Sequence, residues 1–178
     1  MKQSLLIYAV SVLIFLSVRS GASAQEERPP VKPFLVQIFV GDDAGKEKQL
    51  LDKEEFAKPG VLIFLSKIDE NVLDLVKKLN VVSRDGVEKD VYVVYLSKTE
   101  ELDTAVKTLL ELANLPMPIY KYTGEGPAGY EVSRDDAITV VVCFESIIES
   151  VVGLSTEDLK SEDRRSEILL KFFRRTRK

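Results

Sequence analysis

The chain has 178 residues, a formal net charge of −4, one cysteine and no histidine. Without histidine it lacks the commonest general base and the commonest transition-metal ligand, which excludes Ser-His and Cys-His nucleophile pairs. A single cysteine excludes an internal disulfide, and the mildly acidic charge offers no electrostatic footprint for nucleic acid. These features favour a domain stabilised by packing, and from them we expect no cofactor, no metal and no nucleic-acid partner.

The N-terminus has the layout of a secretory signal peptide. Lys2 supplies a positive charge, Leu5–Val18 is an apolar run, and Ala22-Ser23-Ala24 is a small-x-small cleavage pattern. The run is shorter than the roughly 20 residues of a membrane span, which disfavours the alternative of an uncleaved anchor. We predict that residues 1–24 are removed and that the chain, exported to the periplasm or secreted, keeps no stable membrane anchor. These residues hold two bases and no acid, so the formal charge becomes −6 after their removal.

Residues 25–33 are polar and rich in proline, which predicts an extended linker before one domain over residues 34–178. Phe34–Val40 predicts a strand, and the glycines and aspartates of Gly41–Gly45 predict a turn. Lys46–Leu51 then returns as a short strand or as the start of a helix.

Three continuous apolar runs of strand length predict buried central strands, at Val61–Ser66, Val91–Leu96 and Ile138–Phe144. Asp69 is placed to cap a helix after the first run, and Ser97-Lys98-Thr99-Glu100 reads as a capping box for a second helix. Two helical crossovers imply that the three strands are parallel and that the connections are right-handed.

The second helix has apolar residues at helical spacing, which predict its buried face. These residues are Leu102, Ala105, Val106, Leu109, Leu110 and Ala113. Pro116–Tyr130 reads as irregular, Ile147–Val152 as an antiparallel neighbour of the third strand, and Ser155–Asp158 as the start of a last helix. The predicted fold is α/β, with a mixed central sheet and helices on both faces.

Several stretches, taken in this order, resemble the thioredoxin-like superfamily, in particular its TlpA and peroxiredoxin-like (redoxin) branch. They are Phe39–Lys46, Lys58–Ser66, Val91–Thr99, Tyr130-Glu131-Val132, Ile138–Phe144 and Val151–Ser155. The resemblance covers Phe34–Phe173 and implies a thioredoxin-like three-layer sandwich.

The chain departs from this family where the family does its chemistry. Redox-active members carry C-x-x-C or a single peroxidatic cysteine at the start of the helix after the first buried strand, where the helix N-terminus favours the thiolate. The matching segment, Ser66–Leu73, has no cysteine, and the family's thiol positions fall near Glu70 and Leu73. The family's cis-proline is replaced by Asp136–Thr139, whose peptide bonds we expect to be trans. We predict a domain without thiol redox activity that serves as a binding or accessory module.

The former active-site edge becomes a patch of mixed charge, which we predict as a binding edge for a protein or peptide partner. It consists of Lys67, Asp69, Glu70, Arg134, Asp135 and Asp136. The alternatives are a solvated rim, in which exposed ion pairs contribute about 0–1 kcal/mol each, and an enzyme that uses these carboxylates as acid and base.

Cys143 lies within the apolar run Ile138–Phe144, which predicts a buried core residue. The alternative is an exported thiol-disulfide oxidoreductase or peroxidase-like protein that uses Cys143 alone. Gly124–Gly129 matches G-x-G-x-x-G, but Pro127 interrupts it, so we predict a loop and no nucleotide site. Asp42 and Asp43 predict turn chemistry, because two adjacent side chains do not make a cation site.

Overall fold

The computed structural model describes residues 28–52, 60–84, 90–115, 117–163 and 165–166, and for residues 79–84 the backbone alone. The predicted signal peptide at 1–24 lies outside the described residues, and so do residues 25–27 of the predicted linker and residues 167–178 of the predicted domain. Within these ranges, none of the helices combines the length and the apolar character needed to cross a membrane.

Seven strands form one sheet, in the order β2-β1-β5-β4-β3-β6-β7. The strands are β1 Phe34–Val40, β2 Glu47–Leu50, β3 Gly60–Leu65, β4 Asp90–Ser97, β5 Ile119–Thr123, β6 Ile138–Phe144 and β7 Ile147–Leu154. The helices are α1 Glu70–Arg84, α2 Glu100–Ala113 and α3 Thr156–Lys160. This mixed sheet with helices confirms the predicted fold class.

Strand β5 corrects the predicted topology. It pairs in parallel with β4, which pairs in parallel with β3, whereas β6 is antiparallel to β3. The second crossover therefore ends at β5 and not at β6, and the prediction of three parallel apolar strands is wrong for β6. The segment Pro116–Tyr130 was predicted to be irregular because β5 is short and lies just after Pro118 and before Gly124. Its pairing with β4 and β1, which are distant in sequence, makes it a strand.

Alternate side chains of β3 face two separate cores, as a strand buried on both faces requires. Val61, Ile63 and Leu65 belong to the first core, and Leu62 and Phe64 to the second. All six residues of β3 are buried. The continuous apolar run is thus explained by cover on both faces of the sheet.

The described helices lie on one face of the sheet. Val72, Leu75 and Val76 of α1, Leu110 of α2 and Leu159 of α3 all contribute to the first core. Right-handed crossovers that step in the same direction, from β3 to β4 and from β4 to β5, place their helices on the same side. The sequence predicted helices on both faces, and the three described helices cover the first face alone.

The second face is covered in part by the segment that was predicted to be a linker. Val31 is buried in the second core, and its N–H donates to the Ser146 carbonyl at 2.9 Å. The Tyr130 hydroxyl accepts from the Lys32 N–H at 3.0 Å and donates to the Lys32 carbonyl. Residues 28–33 are therefore fastened to the domain.

Local caps place the helix starts at the carboxyl ends of the parallel strands. Asp69 Oδ1 accepts from the Val72 N–H at 2.9 Å, which confirms the predicted cap of α1. The predicted capping box of α2 is wrong: Thr99 is the N-cap, and its Oγ1 accepts from the Leu102 N–H at 3.4 Å. Ser97 cannot cap α2 because it is still part of β4, paired with Thr123.

Candidate functional site

The parallel strands β3, β4 and β5 end at one edge of the sheet, where α1 and α2 begin. The segment after β3 and the segment before β6 meet there. The Ser66 and Lys67 N–H groups donate to the Ala137 carbonyl at 3.1 and 3.3 Å, and Ser66 Oγ donates to the Ser133 carbonyl at 3.3 Å. These two segments therefore bond directly to each other.

The residues predicted for this edge have separate partners. Lys67 Nζ donates to the Asp135 backbone carbonyl at 3.4 Å. The Asp69 carboxylate caps α1 and faces its own helix. Glu70 is exposed in the first turn of α1. Lys67 and Asp135 are thus brought together, whereas Asp69 and Glu70 serve the helix start.

Arg134 turns away from Lys67, towards the end of β4. Its Nη2 donates to the carbonyls of Ser97, at 3.1 Å, and Gly124, and its Nε lies 2.8 Å from Glu125 Oε2. The Arg134 guanidinium therefore ties together the two ends of the loop over residues 124–134 and bonds them to β4. This side chain positions the loop.

Asp136 fits into a space that only glycine leaves open. A Cβ at Gly153 of β7 would overlap the Asp136 carboxylate. Burial raises the pKa of Asp136, and the negative charges of Asp135 and Asp158 raise it further, whereas Lys67 lowers it. The position of the Asp136 carboxylate thus depends on the absence of a side chain at Gly153 of the neighbouring strand.

The change Gly153→Ala is expected to lower the free energy of unfolding by about 1 kcal/mol or less, because the added methyl group forces the Asp136 carboxylate to move whereas alanine suits a strand better than glycine. Thermal unfolding of the variant measures this loss. In an Asp136→Ala background the same change should cost clearly less. Equal losses in the two backgrounds would contradict the overlap.

A buried polar cluster that the sequence analysis missed lies beside this edge. Asp103 accepts from Ser97 Oγ, at 2.8 Å to Oδ1 and 3.0 Å to Oδ2, and from Lys121 Nζ at 3.2 Å. Burial raises the pKa of Tyr95 to about 12, and the Asp103 charge adds to this effect. The available signal was the spacing of Asp103 from Val106 and Leu110, which places it on the buried side of α2.

Cys143 lies at the opposite edge of the sheet. It pairs with Gly60 at the start of β3, whereas α1 follows Leu65 at the end of that strand. Five residues of strand separate these ends by about 17 Å. Cys143 is 5% exposed, and burial raises the pKa of its thiol to about 12. This confirms the predicted buried thiol and puts it far from the helix start.

The native Cys143 thiol is expected to react with a thiol reagent at pH 8 at least roughly 100-fold more slowly than in the unfolded chain, because burial limits both access and ionisation. The folded state keeps the thiol proton more tightly than the unfolded chain does, because the thiol pKa is higher in the folded state. The resulting stability is fully present below pH 9 and is lost as the pH rises from 9 towards about 12. Labelling kinetics and unfolding at several pH values measure both effects. A Cys143→Ala variant should lose less stability over that pH range, and rapid native labelling would contradict the prediction.

Two other sequence candidates have structural explanations. In Gly41–Gly45, which forms the predicted turn, Asp43 Oδ1 is 2.6 Å from Lys46 Nζ. Gly124–Gly129 is a loop in which the three glycines have positive φ, and no helix follows it. Among the residues described, no group of three or more acidic or cysteine side chains is arranged to hold a metal ion.

No protein-family model matches the sequence, and no curated protein is a significant match. Among solved structures, the exposed lipoprotein thioredoxin of Streptococcus pneumoniae is similar at a TM-score of 0.52 and 14% identity, over 79% of this chain and 99% of that chain. A DsbF homologue from Corynebacterium diphtheriae is similar at a TM-score of 0.50 and 15% identity, over 76% and 85%. The chain has a thioredoxin-like fold. At these identities the likeness is one of fold.

In this thioredoxin-like domain, α2 exposes much of the face that the sequence predicted to be buried. Of the residues predicted for that face, Leu110 is fully buried and Val106 is half-buried, whereas Leu102 and Leu109 are 49% and 45% exposed. Leu112, which was not part of the prediction, is 78% exposed. The helix is turned so that Asp103 and Leu110 face the sheet. The prediction was wrong because apolar residues extend over more of α2 than the sheet covers.

The exposed apolar residues of α2 form one continuous surface. They follow one another at spacings of three, four and three residues, which places them on one side of the helix. We name this surface the leucine stripe, and it consists of Leu102, Ala105, Leu109 and Leu112. Half of the large exposed hydrophobic residues among those described belong to it, and the others, Leu35, Phe144 and Ile147, lie on strands.

Proposed function

We propose that this chain is an exported thioredoxin-like binding or accessory module that has no thiol redox activity. The observation that carries the proposal is the position of its one cysteine. Cys143 is buried at the edge of the sheet opposite the start of α1. Thiol-disulfide chemistry of the thioredoxin-like kind would need its thiolate at the start of α1. At that helix start the chain has Asp69 and Glu70, which favour the helix dipole but cannot attack a disulfide.

Export is supported by the layout of residues 1–24, with its charged start, apolar run and Ala22-Ser23-Ala24 pattern. On this proposal the processed chain begins at Gln25, a few residues before the segment that Tyr130 fastens to the domain. It then acts in the periplasm or outside the cell. Expression of the full chain, followed by N-terminal sequencing of the exported protein, tests the processing site.

A binding role is supported by two features of the described surface. The loop before β6 is still held to the sheet through Arg134, and the leucine stripe remains exposed. A protein or a peptide is the partner class that such a surface fits.

The exported, processed protein should show no turnover above buffer in an insulin disulfide-reduction assay. Its Cys143→Ser variant should behave in the same way. Turnover that is present in the native chain and lost in Cys143→Ser would overturn the proposal in favour of an oxidoreductase that uses the single thiol.

A further inference from the structure

The leucine stripe lacks cover from the described residues, although it lies on a helix that packs against the first core. Three leucines on one side of this helix are each at least 45% exposed to water, which is unfavourable for a contiguous apolar surface. The stripe spans the eleven residues from Leu102 to Leu112, a rise of about 15 Å or three turns. Its size therefore matches one short helix.

The area argues against a second copy of this chain as the occupant. A stable protein interface needs about 800 Å² from each partner, which is far more than one stripe three turns long supplies. Charge argues in the same direction. Helix α2 has three exposed glutamates, Glu100, Glu101 and Glu111, and one lysine, so two copies of it would bring like charges together.

The charges around the stripe identify the sign of the partner. Glu100 and Glu101 are exposed at the end of α2 where Leu102 starts the stripe. Glu70 is exposed at the start of α1, which begins at the same edge of the sheet. Lys98 precedes the first two and offsets one charge, so this end of the stripe stays acidic.

We propose that the leucine stripe binds an amphipathic helix of a partner protein, with apolar residues at i, i+3 or i+4 and i+7, and with lysine or arginine at the end that lies beside Glu100 and Glu101. Apolar side chains of such a helix would fit between Leu102, Leu109 and Leu112, as in other helix-in-groove complexes. The positive charges of these basic residues complement the negative charges of Glu100 and Glu101. This inference rests on the proposed binding function and names its surface and its partner chemistry.

Three labelled peptides of equal length test the proposal against the processed protein, by fluorescence anisotropy. The first is an amphipathic helix of leucine and lysine, the second an amphipathic helix of leucine and glutamate, and the third a scrambled leucine-lysine peptide of the same composition. The first should bind, and the other two should bind at least about tenfold more weakly. Absence of binding by the first peptide, or equal binding by either of the others, overturns the proposal.

Matched variants locate the surface. Leu109→Gln combined with Leu112→Gln should raise the Kd of the leucine-lysine peptide about tenfold or more, because two apolar contacts are lost. Leu35→Gln is the control, since Leu35 is 56% exposed but lies on β1. Glu100→Gln combined with Glu101→Gln should weaken binding and reduce its dependence on salt. Equal effects of the control and the stripe variants would overturn the assignment.

Two further outcomes separate this inference from the proposed function. Sedimentation of the processed protein should show a monomer, and a dimer that Leu112→Gln dissolves would replace the partner helix with a second copy. A protein that fails to bind the peptide but also lacks insulin-reduction activity would overturn the inference alone. Thiol-dependent turnover would overturn the proposed function whatever the peptide does.

Discussion

Replacement of Asp103 by alanine is expected to lower the free energy of unfolding by about 3 kcal/mol. The Asp103 carboxylate accepts from Ser97 Oγ and from Lys121 Nζ in a cluster where its own side chain is 10% exposed and that of Lys121 is 21% exposed. Removing one member of a buried ion pair leaves the other charge without compensation, which costs more than the pair contributes as a whole. Ser97 loses its acceptor in the same step.

Thermal unfolding measures this effect, and a loss of that size corresponds to a fall in Tm of about 6–12 °C for a domain of this length. Glu100→Ala is the matched control, because Glu100 is an exposed acid in the same first turn of α2. Its loss should cost less than about 1 kcal/mol, the usual contribution of an acid at a helix N-terminus. If the two variants unfold at the same temperature, the Asp103 cluster contributes little to stability.

Introduction of two cysteines at the start of α1 is expected to create a dithiol that reduces disulfides. The variant combines Glu70→Cys and Leu73→Cys with Cys143→Ser. The partial positive charge of the α1 N-terminus should lower the pKa of the thiol at position 70 below its usual value of about 8.5, because it stabilises the thiolate. The negative charge of Asp69, which caps the same helix, limits the size of this shift.

Insulin reduction and the pH dependence of thiol labelling check this expectation. The control is Asp74→Cys with Lys77→Cys in the same Cys143→Ser background, which has the same spacing one turn further along α1. The dithiol at positions 70 and 73 should reduce insulin at a measurable rate, and the control should not. Equal rates, or equal thiol pKa values at positions 70 and 74, would show that this helix start does not favour a thiolate.

The buried strands could be predicted because their side chains are apolar on both faces. Val61–Ser66 and Ile138–Phe144 need cover on each side of the sheet, and their composition alone carries that information. The caps show the limit of such local rules. Asp69 was correctly predicted, but Ser97 was assigned to a cap although it belongs to β4, because the end of a strand depends on its pairing with Thr123.

The candidate site divides in the same way. The absence of cysteine between Ser66 and Leu73 can be read directly from the chain, and so can the acidic start of α1. The cluster around Asp103 could not be predicted, because Ser97, Asp103 and Lys121 come from two strands and a helix whose register is not encoded in any local pattern.

The sequence by itself determined the fold class, the order of most elements and the lack of a thiol at the helix start, since each depends on composition and short spacing. The tertiary structure alone decided which side of α2 is buried and where Cys143 lies. Helix α2 has apolar residues on more than one side, and only contact with the sheet decides that Leu110 is covered and Leu112 exposed. Cys143 is distant from α1 because β6 runs antiparallel to β3, a register that hydrogen bonds between strands fix and that neither strand specifies alone.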